Sequence, residues 1–145
     1  MFEIRTEIEI GASADRVWSI LIDFPAQPQW NPFVRSIEGK AAVGERLKIS
    51  VQPPGGKGMS FRPTLLVVDR NRELRWLGRF LLPGIFDGEH YFQIRESGPG
   101  RVKFVHGEKF SGLLVPLAKS GLEGGTKAGF EAMNQALKAR AEAQP

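Results

Sequence analysis

The chain has 145 residues, of which 41% are hydrophobic and 25% charged, a composition typical of one globular domain spanning residues 1–145. It contains no cysteine, which excludes disulfides, thiol catalysis and zinc motifs built on sulfur. The net charge of +4 comes from 20 basic and 16 acidic residues that are interleaved rather than clustered, so a nucleic-acid partner is not expected.

The N-terminal segment predicts a strand followed by two short helices. Residues Phe2–Ile10 alternate apolar and polar side chains, which is the pattern of a half-buried strand. Ser13 is placed to cap a helix over residues 14–22, and the prolines that follow limit its continuation. A second helical turn is predicted through Gln29 and Trp30.

The middle of the chain, rich in glycine and proline turns, predicts six strands at these positions: 33–38, 45–52, 59–69, 73–80, 85–95 and 101–111. Pairing Val68 with Glu73 brings the apolar faces of the third and fourth of these strands into agreement. The opposed pairs are then Leu74 with Val67, Trp76 with Leu65, and Phe80 with Phe61.

The last helix is predicted to begin between Leu113 and Leu122 and to end near Ala141. Its apolar stripe contains Phe130, Met133, Asn134 and Leu137. Three glycines, Gly121, Gly124 and Gly125, weaken its first half and predict a kink or a late start. Because strands outnumber crossover helices, we expect an antiparallel α+β fold in which this helix covers a curved sheet and leaves an apolar cavity.

The hairpin of residues 85–111 carries both histidines of the protein. If Arg95 pairs with Arg101, His90 and His106 lie opposite each other on the apolar face, and Glu108 lies one step along. Side chains at such positions are close enough to touch. Glu108 then faces a glycine, so no side chain intrudes.

Four interpretations of this cluster stay open: a self-satisfied polar cluster, a ligand-recognition site, an acid–base site and a two-histidine, one-carboxylate metal site. Unpaired buried polar groups cost about 1–3 kcal/mol each, so the cluster must satisfy itself, hold water or meet a ligand. Sequence motifs for a phosphate loop, a nucleophile elbow or a zinc helix are absent.

Several segments of the sequence are similar to those of one known superfamily. These segments are Ile8–Phe24, Trp30–Pro32, Leu74–Trp76, Gly88–Phe92, His106–Phe110 and Gly129–Asn134 followed by Leu137. The chain resembles uncharacterised bacterial members of the SRPBCC superfamily, which includes START-like lipid-transfer and polyketide cyclase/dehydrase-like proteins. The resemblance implies a helix-grip fold, a curved antiparallel sheet wrapped around a long C-terminal helix. Family members commonly bind lipids, sterols, polyketides or other apolar molecules between the two. Catalytic residues differ between subfamilies, so none is transferred.

The function expected from these observations and from the resemblance is the binding of a small hydrophobic or aromatic molecule, lipid-like or polyketide-like, in the cavity between the sheet and the C-terminal helix. The expected ligand-binding residues are Phe61, Trp76, Phe80, His90, Phe92, Phe104, His106, Glu108, Phe130 and Asn134. One alternative is a polyketide cyclase/dehydrase-like enzyme that uses His90, His106 and Glu108 as acid–base groups. A second alternative is a co-chaperone-like protein-interaction domain, which would need an exposed apolar patch.

We expect no cofactor, no resident metal and a monomer or homodimer. No apolar run approaches the roughly 18 residues of a membrane-spanning helix. The first residues lack the pattern of a secretory signal, so a cytoplasmic location is expected.

Overall fold

The structure, a computed structural model, describes residues 1–80 and 82–143. The elements of this part follow in the order β1 (Phe2–Ile10), α1 (Ala14–Leu21), a 3₁₀ turn (Phe24–Ala26), α2 (Gln27–Trp30), β2 (Val34–Glu38), β3 (Lys48–Val51), β4 (Met59–Phe61), β5 (Thr64–Asp69), β6 (Glu73–Phe80), β7 (Phe86–Gly98), β8 (Arg101–Ser111), α3 (Val115–Gly121), a π-helical turn (Leu122–Thr126) and α4 (Lys127–Glu142). The predicted α+β helix-grip architecture, with two short helices after the first strand, is confirmed.

The strands form two antiparallel sheets rather than one. The larger has the order β1-β8-β7-β6-β5 and the smaller the order β2-β3-β4. The predicted single strand over 59–69 is wrong, because Pro63 has no N–H for a ladder and separates β4 from β5. The chain passes from one sheet to the other there. Leu47 N–H donates to the Pro63 carbonyl at 2.8 Å and holds the two sheets together.

Bulges shift two of the predicted registers. In β7–β8 the strands continue to a tight turn at Pro99–Gly100, with a bulge after Glu96, so Arg95 pairs with Lys103 and not with Arg101. The predicted register is therefore wrong by two residues. Because a shift of two keeps each side chain on its face, the apolar faces are as predicted.

In the pairing of β5 with β6, a bulge after Leu65 shifts the pairs of residues 67–69 by one residue relative to the predicted register. Trp76 is opposite Leu65 as predicted, whereas Leu74 is opposite Val68 and not Val67. Phe80 is not paired with Phe61, which belongs to the smaller sheet. Their rings nevertheless pack at 5.4 Å across the junction.

The apolar stripe of α4 lies against the sheet. Phe130, Met133, Asn134 and Leu137 are all buried. Gly129 permits the close approach of α4 to Phe33, whose ring would overlap any side chain at that position. The predicted irregularity at the glycines takes the form of the wide turn Leu122–Thr126, through which the backbone remains helical.

The short helix α1 anchors the far end of α4. Ser13 Oγ accepts the Arg16 N–H at 3.2 Å, which confirms the predicted N-cap. The Arg16 guanidinium reaches the last carbonyls of α4, with Nε donating to Ala141 O at 2.6 Å. This contact satisfies carbonyl groups that a helix end leaves without a partner.

None of the helices within the described residues combines the length and apolar character needed to cross a bilayer.

Candidate functional site

An apolar cavity of about 120 Å³ lies between the two sheets and the π-helical turn. Its lining residues come from both sheets and that turn, and they are Phe33, Val34, Val51, Pro53, Lys57, Met59, Phe61, Trp76, Phe80, Phe86, His90, Glu108, Phe110, Leu122 and Thr126. Most of these side chains are aromatic or aliphatic. His90 and Glu108 place polar groups on the wall formed by β7 and β8, and Lys57 lies at the exposed rim.

Five of the ten residues expected to bind ligand line this cavity, namely Phe61, Trp76, Phe80, His90 and Glu108. The other five are packed in the core behind it, namely Phe92, Phe104, His106, Phe130 and Asn134. The reason is that α4 lies close to the large sheet, so its side chains fill the space where the sequence predicted the cavity. The cavity lies instead between the two sheets and the π-helical turn. Phe130 stacks on the His106 ring with centroids 4.2 Å apart.

The corrected register places His90 opposite Glu108, with His106 at the diagonal position. His90 Nδ1 lies 3.0 Å from Glu108 Oε1, and His90 Nε2 lies 2.7 Å from His106 Nε2. The expected cluster of two imidazoles and a carboxyl group therefore exists. Its members form a chain that leads away from the cavity.

The chain continues beyond His106 to the last helix and the first strand. His106 Nδ1 lies 2.9 Å from Asn134 Oδ1, and Asn134 Nδ2 donates to Thr6 Oγ1 at 2.8 Å. Thr6 in turn donates to the His106 carbonyl at 2.7 Å. We name the five side chains Glu108, His90, His106, Asn134 and Thr6 the polar chain. Three strands and α4 contribute to it.

The exposed fraction of the side chains in the polar chain decreases from the cavity inward. The Glu108 side chain is 14% exposed, the His90 side chain 5%, and His106 is fully buried. Burial, reinforced by the neighbouring His90, holds the pKa of the His106 imidazole well below its ordinary value of 6.5. His106 is therefore neutral at physiological pH.

Aromatic rings enclose the two imidazoles. Trp76 stacks on His90 with centroids 5.0 Å apart, and Phe92 packs against both histidines at 4.8 and 4.6 Å. Such packing fixes the ring orientations. The hydrogen bonds of the polar chain then have one geometry rather than several.

The geometry does not fit the two-histidine, one-carboxylate metal site. The two Nε2 atoms face each other at 2.7 Å, whereas two imidazoles on one zinc-like ion, each about 2.0–2.1 Å from it in tetrahedral geometry, are more than 3 Å apart. The short separation is that of a direct hydrogen bond.

Sequence reasoning missed one member of the polar chain and one wall of the cavity. Thr6 is the one polar residue on the inward face of β1, and that interruption of the pattern was an available signal. Apart from Phe61, the wall from the smaller sheet, including Val34 and Val51, was not predicted, because it depends on the division at Pro63 and had no comparable local signal.

Solved structures with the same fold cover nearly the whole chain. A START superfamily protein from Mycobacterium smegmatis is 25% identical, with a TM-score of 0.74 and 97% of each chain covered. The Zhui aromatase/cyclase from a Streptomyces species is 18% identical (TM-score 0.75; 97% of this chain and 93% of that chain covered). A norcoclaurine synthase from Thalictrum flavum is 16% identical, with the same TM-score and coverage.

Comparison with the curated proteins gives no match. The sequence profile of one family, described as polyketide cyclase / dehydrase and lipid transport, matches residues 1–142. That match spans both sheets, the polar chain and α4. The chain therefore belongs to the polyketide cyclase / dehydrase and lipid transport family.

Proposed function

We propose that this protein binds a small, mainly apolar molecule in the cavity between its two sheets, with the Glu108–His90 pair as the polar anchor. The observation that carries the proposal is a cavity with apolar walls and one hydrogen-bonded polar pair on its inner side. Apolar clefts with a few convergent polar groups are typical of small-molecule sites. The family and the folds of its neighbours support the same class of function.

The size of the cavity limits the ligand. At about 120 Å³ it is comparable to the cavity of about 150 Å³ that holds one benzene molecule in an engineered protein core. One ring or a short branched chain fits inside. A longer molecule would leave its remainder at the rim, where Lys57 is exposed.

The test is titration with single-ring aromatics, starting with toluene and 4-methylphenol. Binding is monitored by NMR chemical shifts, including that of the indole N–H of Trp76 on the cavity wall. Val51→Phe places extra volume in the cavity and is expected to weaken binding by at least tenfold, about 1.4 kcal/mol. Val43→Phe adds the same volume at a residue that is 66% exposed and should bind as the unmodified protein does.

Two results would contradict binding in the cavity. One is that no probe changes the NMR chemical shifts of the protein. The other is that the Val51→Phe and Val43→Phe variants bind the probes with equal affinity. In either case the polar chain would be a self-satisfied structural element.

A second candidate function is cyclase/dehydrase-like proton transfer, favoured by a carboxyl group that is hydrogen-bonded to an imidazole on the cavity wall. In this version Glu108 and His90 contact the substrate, and His106 acts only through His90. Glu108→Leu should then abolish the turnover of a hydroxyketone that still binds. Unchanged turnover would exclude this function.

A further inference from the structure

The direction of every hydrogen bond in the polar chain follows from one hydroxyl group. The His106 carbonyl can only accept, so Thr6, 2.7 Å away, uses its single proton there. Thr6 Oγ1 must then accept from Asn134, which requires the amide nitrogen of Asn134 to face Thr6. The amide oxygen consequently faces His106 Nδ1, and this nitrogen carries a proton.

The proton on Nδ1 sets the state of both imidazoles. His106 is neutral, so its Nε2 has a lone pair and accepts. His90 Nε2, 2.7 Å away, must therefore donate. A neutral His90 that donates at Nε2 has a lone pair at Nδ1, and that lone pair faces Glu108 Oε1.

One proton therefore lies between His90 Nδ1 and Glu108 Oε1. Without it, two acceptors would face each other at 3.0 Å. The proton can be bound to the carboxyl oxygen or to the imidazole, and in both placements the pair is neutral overall. In both placements Glu108 Oε2 has no proton and is a hydrogen-bond acceptor.

We infer that the cavity selects neutral ligands that carry a hydroxyl group on a small apolar or aromatic frame, because this hydroxyl group donates a hydrogen bond. The cavity rejects the corresponding ethers and carboxylates. The inference rests on the proposed function and adds the chemical class of the ligand. An ether oxygen or a carboxylate would meet Oε2 acceptor to acceptor. Lys57 is the cationic residue of the lining, but it lies at the exposed rim and not beside the buried pair.

The inference assigns distinct roles within the polar chain. Glu108 contacts the ligand, whereas His106, Asn134 and Thr6 are positioning residues that keep the single proton on the Glu108–His90 pair. If the Asn134 amide were reversed, His106 would donate from Nε2, His90 would donate to Glu108, and the pair would be anionic. The Thr6 hydroxyl prevents that reversal because it cannot donate in two directions.

The experiment compares 4-methylphenol, 4-methylanisole and 4-methylbenzoate at neutral pH by NMR titration. The phenol is expected to bind at least about tenfold more tightly than the ether or the carboxylate, since a hydrogen bond to the pair is lost in both. Equal affinities of the phenol and the ether would overturn the inference but leave the proposed function standing. If toluene and all three probes fail to bind, the proposed function itself is wrong.

Two variants make the test specific to the proton. Glu108→Gln supplies an amide N–H to His90 Nδ1 and leaves a carbonyl oxygen for the ligand, so it should keep the preference for the phenol. Glu108→Leu should bind the phenol and the ether with equal affinity. A reversed result for Glu108→Gln, or an NMR spectrum showing His106 protonated at Nε2 and not at Nδ1, would contradict the assignment.

Discussion

The backbone of Gly88 lies directly beneath the carboxyl group of Glu108. A methyl group added at Gly88 would overlap Oε2, the oxygen that His90 does not bind. The two residues are on neighbouring strands, β7 and β8, and Gly88 is paired with Phe110 there. The absence of a side chain at residue 88 therefore gives the Glu108 carboxyl group the position from which it reaches both His90 and the cavity.

Gly88→Ala is accordingly expected to displace the Glu108 carboxyl group. The affinity for 4-methylphenol should fall about tenfold, roughly the value of one hydrogen bond to the pair, while that for 4-methylanisole stays nearly constant. Gly78→Ala is the matched control, because Gly78 is paired with Gly88 and an added methyl group there makes only ordinary contacts. Equal losses for both ligands in the Gly88 variant would contradict this role.

The bond between Asn134 and Thr6 should appear as an energetic coupling. Asn134→Leu leaves the buried His106 Nδ1–H without an acceptor and removes the N–H that Thr6 Oγ1 accepts, so it should lower the free energy of unfolding by about 2–4 kcal/mol. Thr6→Val should cost about 1–2 kcal/mol. The double variant should lose at least about 1 kcal/mol less than the two single losses combined, as measured by urea denaturation.

An unconnected pair provides the reference for that coupling. Glu38, on β2 of the smaller sheet, is exposed. Glu38→Ala combined with Asn134→Leu should show additive losses. Additivity in the Thr6 and Asn134 double variant as well would mean that the hydrogen bond between them contributes nothing to stability.

The low pKa of His106 predicts a loss of stability in mild acid. Burial and His90 depress the pKa of the folded imidazole, so below about 6.5 the unfolded chain binds a proton at this residue that the folded protein does not. The free energy of unfolding should therefore fall as pH decreases from 6.5 to 5, by about 1.4 kcal/mol per pH unit for this group. Above about pH 7.5 the unfolded imidazole is also almost fully neutral, so the group adds little pH dependence there.

His106→Gln, which keeps an amide in place of the imidazole, separates this effect from other acidic transitions. Its stability should be less steep between pH 5 and 6.5 than that of the unmodified protein, by about one proton. Identical slopes would show that another group causes the acid sensitivity.

The sequence was sufficient to predict the helix-grip architecture and the faces of most strands, but not the division into two sheets or the inward position of Val68 after the bulge in β5. Alternation in β1 and the apolar stripe of α4 are local signals, and each placed its residues on the correct side. The polar cluster was also predicted, since His90, His106 and Glu108 share a strand face. A register error of two residues leaves that face unchanged.

The depth of the cavity could not be predicted, because it depends on distances between elements. The pattern that makes Phe130 and Asn134 inward-facing does not say whether they border a cavity or fill the core. Because α4 approaches the sheet closely at Gly129, these two side chains fill the core. Bulges at Leu65 and Glu96 likewise depend on how the whole sheet twists.

Tyr91 offers a spectroscopic test of the outer face of the same hairpin. Its hydroxyl donates to Glu3 Oε2 at 2.7 Å, and burial together with this carboxylate raises the pKa of Tyr91 to about 12. Since the chain has one tyrosine, the ultraviolet absorbance of phenolate reports this group alone. The native protein should titrate near 12, and the protein unfolded in urea near the ordinary value of 10.

The same shift predicts how stability changes in base. Between pH 10 and 12 the folded protein holds a proton on Tyr91 that the unfolded chain releases, so the free energy of unfolding should fall as pH rises through this range. Glu3→Gln removes the carboxylate charge and should lower the pKa of Tyr91 while leaving it above 10, because burial remains. A native titration midpoint near 10 would mean that the hydroxyl is exposed in solution. The hydrogen bond from Tyr91 on β7 to Glu3 on β1 would then not exist in solution.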